Sequence, residues 1–246
     1  MGRLFKNELM KLKYSRTLWL FWGVVLGLVL LFSVVPGIYF ELESYGYTTA
    51  FVYMRNCGTF VLMFLAPIAG SMFTLEFYQG TMQNTLSCGV SRPQYFAVKV
   101  LCLFVTGILV YLSALVVFVG IRSLRLGFRP EGMVYPDYGL SSLAFHGGTC
   151  LLLCTYMALY ILISLLVKRP GVVYLSGAIA TVVETSLMNT VPGYSGVIPT
   201  VVRMYEMAEE RRVLTGEFAG LFVQSSVMCA AFLLLSYLIF LRKDIN

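Results

Sequence analysis

Two carboxylates, Glu76 and Glu184, lie inside or directly beside long apolar runs, where a charged side chain is unusual. Glu184 is the single charge in the run 170–202, and a carboxylate inside a long apolar run is costly enough to suggest a functional site. Glu76 directly follows the uncharged run 56–75 and opens a polar stretch that continues to Lys99. An acid at such a boundary can pair with a cation of another element or of a partner protein. Both positions therefore offer ion pairing and polar recognition.

Motifs for common enzymatic chemistry are absent from the sequence. The chain has no Gly-x-x-x-x-Gly-Lys-Ser/Thr phosphate loop and no HExxH pattern. Its one histidine, His146, leaves no candidate Ser/His/Asp set, and we expect it to be a hydrogen-bonded structural residue rather than a proton switch. Cys150 and Cys154 share a helix face, but a metal site needs three or four ligands. We therefore expect no enzyme activity, no catalytic residue, no metal and no cofactor in this chain.

The composition predicts a protein that crosses a membrane several times. Of the 246 residues, 59% are hydrophobic and 12% are charged, and the mean hydropathy is +0.81. A soluble domain carries roughly 25% charged residues, so this chain has too few charges to cover the surface of one. The expected fold is an all-α polytopic membrane protein, organised as a single transmembrane domain over 1–246.

Six stretches have the length and apolarity of membrane spans, since a spanning helix needs about 20 apolar residues. The charge-free windows predict spans at about 17–38, 56–75, 97–121, 142–167, 171–190 and 218–241. An even number of spans places both termini on one side of the membrane.

The distribution of lysine and arginine predicts which side that is. With both termini in the cytoplasm, eleven of the 18 Lys and Arg lie on the inner side, against three of the 12 Asp and Glu. Inner loops of membrane proteins carry an excess of cations, so the N-terminus and the C-terminus are expected to be cytoplasmic. The net charge of +6 then reflects membrane topology, and no nucleic acid is expected as a partner.

The first 16 residues form an amphipathic basic segment. Phe5, Leu9 and Leu12 recur at helical spacing, with Lys and Arg around them. This pattern is typical of an interfacial elbow helix that lies on the anionic inner leaflet. The alternative is a cytoplasmic tail that only supplies positive charge.

The polar segment 76–92 lies between spans 2 and 3 and is predicted to form a small docking helix. Gly80-Thr81 and Gly89 bracket its polar centre, Ser91 is a favourable N-cap for the third span, and proline is tolerated in the first helical turn that follows. Glu76 is either a solvated interfacial acid, or it pairs with a cation of the elbow helix or of a partner protein.

Two further positions suggest a substrate route or a gate. Thr181, Thr185 and Asn189 lie at helical spacing around Glu184, which either lines the route and helps close the outer gate or is a structural acid at a helix interface. Pro67 is either a packing kink or a flexing point in a gating helix.

These features together resemble the membrane subunits of type-2 ABC exporters. The resemblance rests on Glu8-Leu9-x-Lys11, Glu76, Gly80-Thr81, Leu86, Gly89, Ser91-Arg92, Lys99 and the ending Phe240-x-Arg242-Lys243-Asp244. Within that family the chain looks most like the permeases of bacitracin-resistance, lantibiotic-immunity and phenol-soluble-modulin peptide exporters.

The resemblance implies that residues 76–92 form a coupling helix in a groove of a separate cytoplasmic ATPase. The implied ATPase-coupling residues are Glu76, Phe77, Gly80, Thr81, Leu86, Gly89, Ser91 and Arg92. It also implies two ATPase subunits that bind ATP and Mg, a second copy or a similar permease, and export of amphipathic peptides or hydrophobic antibiotics through a bacterial cell membrane. Residues 191–217 would form a short outer re-entrant or amphipathic hairpin before span 6. The alternative is a non-transporting polytopic membrane protein, such as a sensor, an assembly factor or a membrane enzyme.

Overall fold

Uncharged stretches of this length become helices in lipid because a helix satisfies its own backbone hydrogen bonds. The computed structural model describes residues 2–34, 49–87, 89–126, 138–167, 169–190, 203–204, 207 and 215–242. Within these residues there are eight α-helices and no strand. The helices are α1 (Gly2–Tyr14), α2 (Arg16–Val34), α3 (Thr49–Tyr78), α4 (Thr81–Ser87), α5 (Arg92–Leu126), α6 (Tyr138–Val167), α7 (Pro170–Thr190) and α8 (Gly216–Arg242).

Three of these helices are long and apolar enough to cross a membrane. They are α5 over Arg92–Ile121, α6 over Leu143–Val167 and α8 over Gly216–Arg242. A fourth crossing results if α1 and α2, which meet at a bend of 63°, are taken as one broken span. In their described parts α3 and α7 contain shorter apolar stretches, Val61–Glu76 and Pro170–Ile179. The all-α multi-pass fold is therefore confirmed, while the count of six spans stays a prediction.

Helix α6 lies at the centre of the bundle. In the most apolar stretch of α6, 56% of the residues are buried, against 39% in that of α5 and 22% in that of α8. It packs mainly against α8 and α3, while α3 also packs against α7 and α2 against α5. Small residues allow these close approaches: Gly107 of α5 faces Met157 of α6, and Gly177 of α7 faces Ala66 of α3. Close packing through small side chains is how helices associate in lipid, where burial of apolar surface gives no advantage.

The predicted elbow segment is helical over Gly2–Tyr14, and it contacts the bundle through a face that includes an acid. Glu8 and Leu12 are buried and Leu4 and Phe5 are partly buried, whereas Leu9 is 37% exposed. That this helix lies on the inner leaflet stays a prediction.

Some predicted features fall on residues that the structure does not describe. The predicted outer hairpin 191–217 lies outside the described residues except for 203–204, 207 and 215–217. Within those exceptions Met204 and Met207 are buried, and Met204 lies against Gly148 of α6. The cations and the acid that close the sequence, apart from Arg242, also lie outside them.

Candidate functional site: the polar helix between α3 and α5 and its charge network

The polar segment 76–92 folds as a seven-residue helix between two glycine turns. Helix α3 continues to Tyr78, α4 covers Thr81–Ser87, and α5 begins at Arg92. Gly80 has φ 66° and Gly89 has φ 85°, a left-handed backbone that favours glycine because it has no Cβ. The helical part of the segment is therefore much shorter than 76–92, and the two glycines set its ends.

Helix α4 turns one face to the bundle and another outward. Met82 is 1% exposed, and Leu86 and Val90 pack against the core. Thr81, Ser87 and the residues 89 and 91–92 after the helix are exposed. The outward surface formed by these residues is therefore mainly polar.

A lysine is fully buried where α1, α3 and α5 meet. The Lys99 ammonium lies 2.5 Å from Glu76 Oε2 and 3.5 Å from Glu8 Oε2, and it donates a hydrogen bond of 2.6 Å to the carbonyl oxygen of Met72. The rings of Phe73 and Tyr95 lie 5.6 and 5.2 Å from it. A buried charge is tolerated only when it is paired and hydrogen-bonded, and Lys99 meets both conditions.

A second lysine closes the network from the solvent side. Lys11 Nζ lies 2.7 Å from Glu8 Oε1 and 3.3 Å from Glu76 Oε1. Tyr95 donates its hydroxyl hydrogen to Glu76. Burial lowers the pKa of Lys11, but the hydrogen bond to Glu8 and the negative charges of Glu76 and Glu8 raise it by more, so the net shift is upward. We call Glu8, Lys11, Glu76, Tyr95 and Lys99 the charge network; in it Glu76 pairs with a cation of α1, one of the two arrangements expected for it.

The end of α8 is joined to the same region. Arg92 Nη1 donates a hydrogen bond of 3.0 Å to the carbonyl oxygen of Leu241, in the last turn of α8. A cation there satisfies a terminal carbonyl and complements the helix dipole. The Phe240 ring stacks on Tyr95 at 6.1 Å and contacts Phe96 at 5.4 Å. Four helices therefore meet beside α4, and we call this the α4 end of the bundle.

The predicted site residues fall into two groups. Seven of the eight predicted coupling residues lie together at the α4 end of the bundle: Glu76, Gly80, Thr81, Leu86, Gly89, Ser91 and Arg92. The side chain of Phe77 lies outside the described residues, as do those of Thr181, Glu184, Thr185 and Asn189, although all five positions are helical. Pro67 is buried within α3, which continues through it.

The sequence analysis names Glu8 and Lys99 only among the residues that carry the family resemblance, and it places neither them nor Tyr95 in a charge network with Glu76. A signal existed for two of them: Glu8 is the only acid in the first 40 residues, and Lys99 is the only charge in the predicted span 97–121. A charge inside a span calls for a named partner. For Tyr95 the sequence offers no signal, because tyrosine is common in this chain, with 16 copies.

His146 makes a structural contact far from the charge network. Its Nδ1 lies 2.6 Å from the hydroxyl oxygen of Tyr111, which joins α6 to α5. This hydrogen bond is what the prediction of a hydrogen-bonded structural residue requires of His146.

Fold and site together define an all-helical multi-pass membrane protein with a short polar helix beside a network of buried charges at one end of its bundle. Residues 4–187, about three quarters of the 246, match the family described as ABC-2 family transporter protein, and the chain belongs to this family. No curated protein matches the chain.

Membership of the family defines what kind of component the chain is. It is a membrane permease subunit of an ABC transporter, a transport component rather than an enzyme. Permeases of this family generally work with a cytoplasmic ATPase and dimerise.

Proposed function

We propose that this permease exports amphipathic or antimicrobial peptides, or hydrophobic antibiotics, from a bacterial cell, and that segment 76–92 couples it to its ATPase. In the complete transporter two ATPase subunits bind ATP and Mg on the cytoplasmic side, where both termini of the permease lie. Two copies of this chain, or one copy and a similar permease, form the pathway. Among the exporters of the family, those for bacitracin, lantibiotics and phenol-soluble modulins are the ones this chain resembles.

The observation that carries the coupling role is the construction of the α4 end of the bundle. Helix α4 keeps a polar face exposed while Met82 anchors its other face at 1% exposure. The charge network joins Glu76, in the last turn of α3 before α4, to both α1 and α5. A force applied to α4 by a partner therefore reaches the bundle through ion pairs and packed side chains instead of dissipating in a loose loop.

The cargo class is supported by the character of the bundle. Apolar side chains of α5, α7 and α8 are exposed on the single subunit, among them Val116 at 69%, Leu175 at 60% and Val223 at 63%. Surfaces of this kind suit lipid and a second subunit, and they also suit a cargo with an apolar face. Glu184, with Thr181, Thr185 and Asn189, would supply polar groups on the outer half of the route, and Pro67 a point at which α3 flexes.

The experiment that tests the coupling role is co-purification with the ATPase encoded beside this chain, followed by ATP turnover in lipid with candidate peptides. The test variant is Thr81→Arg, which places a bulky cation on the exposed face of α4. The matched control is Arg169→Glu, which changes an exposed charge in the connection between α6 and α7. Membrane insertion of each variant is measured by fluorescence size-exclusion chromatography.

We expect the wild type and Arg169→Glu to retain the ATPase and Thr81→Arg to lose it, with normal insertion in all three. Turnover that changes with an amphipathic peptide supports the cargo class. A wild-type chain that purifies without any ATPase would overturn the coupling role, and equal retention by Thr81→Arg would remove α4 from the docking surface.

A further inference from the structure

Glu8 is a buried acid that belongs to α1, an element outside the coupling segment. It is 2% exposed, and its two oxygens face two different lysines. Oε1 lies 2.7 Å from Lys11 of its own helix, and Oε2 lies 3.5 Å from Lys99 of α5. Lys99 in turn lies 2.5 Å from Glu76, at the start of the coupling segment.

A single buried cation therefore connects two carboxylates from two different elements. If Glu76 moves with the coupling segment, Lys99 must follow it or lose its closest anion. Glu8 must then follow Lys99, since in a poorly hydrated site an uncompensated charge costs far more than a small displacement of a helix. The ion pairs make α1 respond to the position of Glu76.

Hydrogen bonds and stacked rings stabilise the bend between α1 and α2. A movement of α1 is therefore passed on to α2 beyond Ser15. The Ser15 hydroxyl accepts a hydrogen bond of 3.4 Å from the Leu18 amide and so caps α2. The indole of Trp19 donates a hydrogen bond of 2.6 Å to the carbonyl oxygen of Lys13, across the bend. Trp19 also stacks on Trp22 at 5.5 Å, and Trp22 is hydrogen-bonded at 2.9 Å to Ser113 of α5.

We propose that Glu8 is a positioning residue of transport: through Lys99 it makes α1 follow the coupling segment, and the braced bend passes that movement to α2. The proposal rests on the coupling role of segment 76–92. It adds a second route from the ATPase to the spans, beside the direct continuation of α3 and α5. Glu8 contacts neither the ATPase nor cargo in this mechanism and acts only through Lys99.

The test uses the two tryptophans as reporters, because Trp19 and Trp22 are the only ones in the chain and both lie just beyond the bend. The permease is labelled with 5-fluorotryptophan, combined with unlabelled ATPase in lipid nanodiscs and followed by fluorine-19 NMR before and after a non-hydrolysable ATP analogue is added. The variants are Glu8→Gln, which removes the charge, and Glu8→Asp, which keeps it. The control is Lys6→Gln, which removes an exposed charge from the same helix.

We expect the analogue to shift the Trp19 resonance in the wild type, in Lys6→Gln and, to a smaller extent, in Glu8→Asp. In Glu8→Gln the shift disappears while the ATPase is still retained and still hydrolyses ATP. An unchanged shift in Glu8→Gln, or no shift in the wild type complex, overturns the proposal and leaves the docking role intact. Loss of the ATPase by Glu8→Gln also overturns it, because Glu8 then acts in docking rather than in transmission. A wild type that retains no ATPase is the separate failure of the proposed function.

Discussion

A lysine surrounded by aromatic rings keeps its charge only if anions are buried with it. Lys99 lies between the rings of Phe73 and Tyr95, and both Glu8 and Glu76 accompany it. The arrangement stabilises one relative position of three helices more than it stabilises the fold, since a buried ion pair is often no better than an apolar pair of the same volume. The buried ion pairs therefore mainly specify the position of α1 relative to α3 and α5.

Loss of the buried cation should cost much more than loss of the exposed one. Lys99→Met leaves Glu8 and Glu76 facing each other, and we expect it to lower the free energy of unfolding by about 3–5 kcal/mol. Lys11→Met removes a lysine whose side chain is 48% exposed, and we expect a loss of at most about 1 kcal/mol. Unfolding in mixed micelles, followed by circular dichroism, measures both. If the double variant Glu8→Gln, Lys99→Met is no more stable than Lys99→Met alone, the uncompensated charge is not the cause.

Gly80 should resist substitution for a backbone reason, since nothing lies within 4 Å of the place where a Cβ would stand. Its φ of 66° costs a residue with a Cβ about 1–2 kcal/mol, so Gly80→Ala should destabilise the turn before α4 by that amount. Gly120→Ala is the control: this glycine lies in α5 with the same free space, and alanine should be neutral or slightly stabilising there. Thermal unfolding in detergent separates the two; equal melting temperatures would contradict the backbone argument.

At the scale of helices, the contact between α3 and α7 depends on two glycines, one in each helix. A Cβ on Gly70 would lie 2.8 Å from the Tyr174 ring, and Gly177 lies directly against Ala66. The two helices can approach closely only because both positions are glycine. Position 184 belongs to α7, so this contact sets the distance between α3 and the helix that carries it.

Gly177→Val should therefore separate α3 from α7, with a cost of about 1–3 kcal/mol or more from overpacking. Gly27→Val is the matched control, since Gly27 of α2 has nothing within 4 Å. Limited proteolysis and thermal unfolding of the two variants in detergent test the difference. Comparable stability of Gly177→Val and Gly27→Val would show that the helices can adjust without cost.

The positions of the helices along the chain were predictable from the sequence. Which helices pack against one another, and through which faces, was not. Uncharged runs located α5, α6 and α8, and glycine and proline located the turns around α4. The faces could not be predicted because buried and exposed positions carry the same residues: Leu103 of α5 is 0% exposed, whereas Leu101 and Leu109 are half-exposed. In lipid both faces of a span are apolar, so periodicity does not mark the interior.

The same limit explains what was missed in the site. Glu76 stood out because it ends an apolar run, and the glycines at 80 and 89 because they bracket the polar centre of the segment that follows. The pairing of Glu8 with Lys99 joins residues 91 positions apart in the chain, and no local pattern contains that distance.

At the scale of the whole molecule, the bundle exposes apolar stripes. Helix α8 is the least buried of the three helices that are long and apolar enough to cross a membrane, and Val223, Val227, Leu234 and Leu238 form a row along one of its sides. Lipid or a second permease subunit covers such a row in an assembled transporter.

Glu184→Gln should lower export by about tenfold if the carboxylate lines the route, because the charge at the rate-limiting position is lost while the shape of the side chain is kept. Glu217→Gln, at the exposed start of α8, is the control and should export normally. Export of a labelled amphipathic peptide from inverted vesicles measures both, with assembly checked by co-purification of the ATPase. Normal export by Glu184→Gln would return this residue to a structural role.

The joining of α8 to the α4 end has a consequence for biosynthesis. Glu8, α4 and Arg92 leave the ribosome before Leu241, which accepts the hydrogen bond from Arg92. The α4 end cannot be completed until α8 has been inserted, so a nascent chain passes through a stage in which α4 is made but Arg92 still lacks its contact with α8. ATPase binding that requires the finished α4 end would then wait for the insertion of α8, and premature engagement of a half-built permease would be avoided.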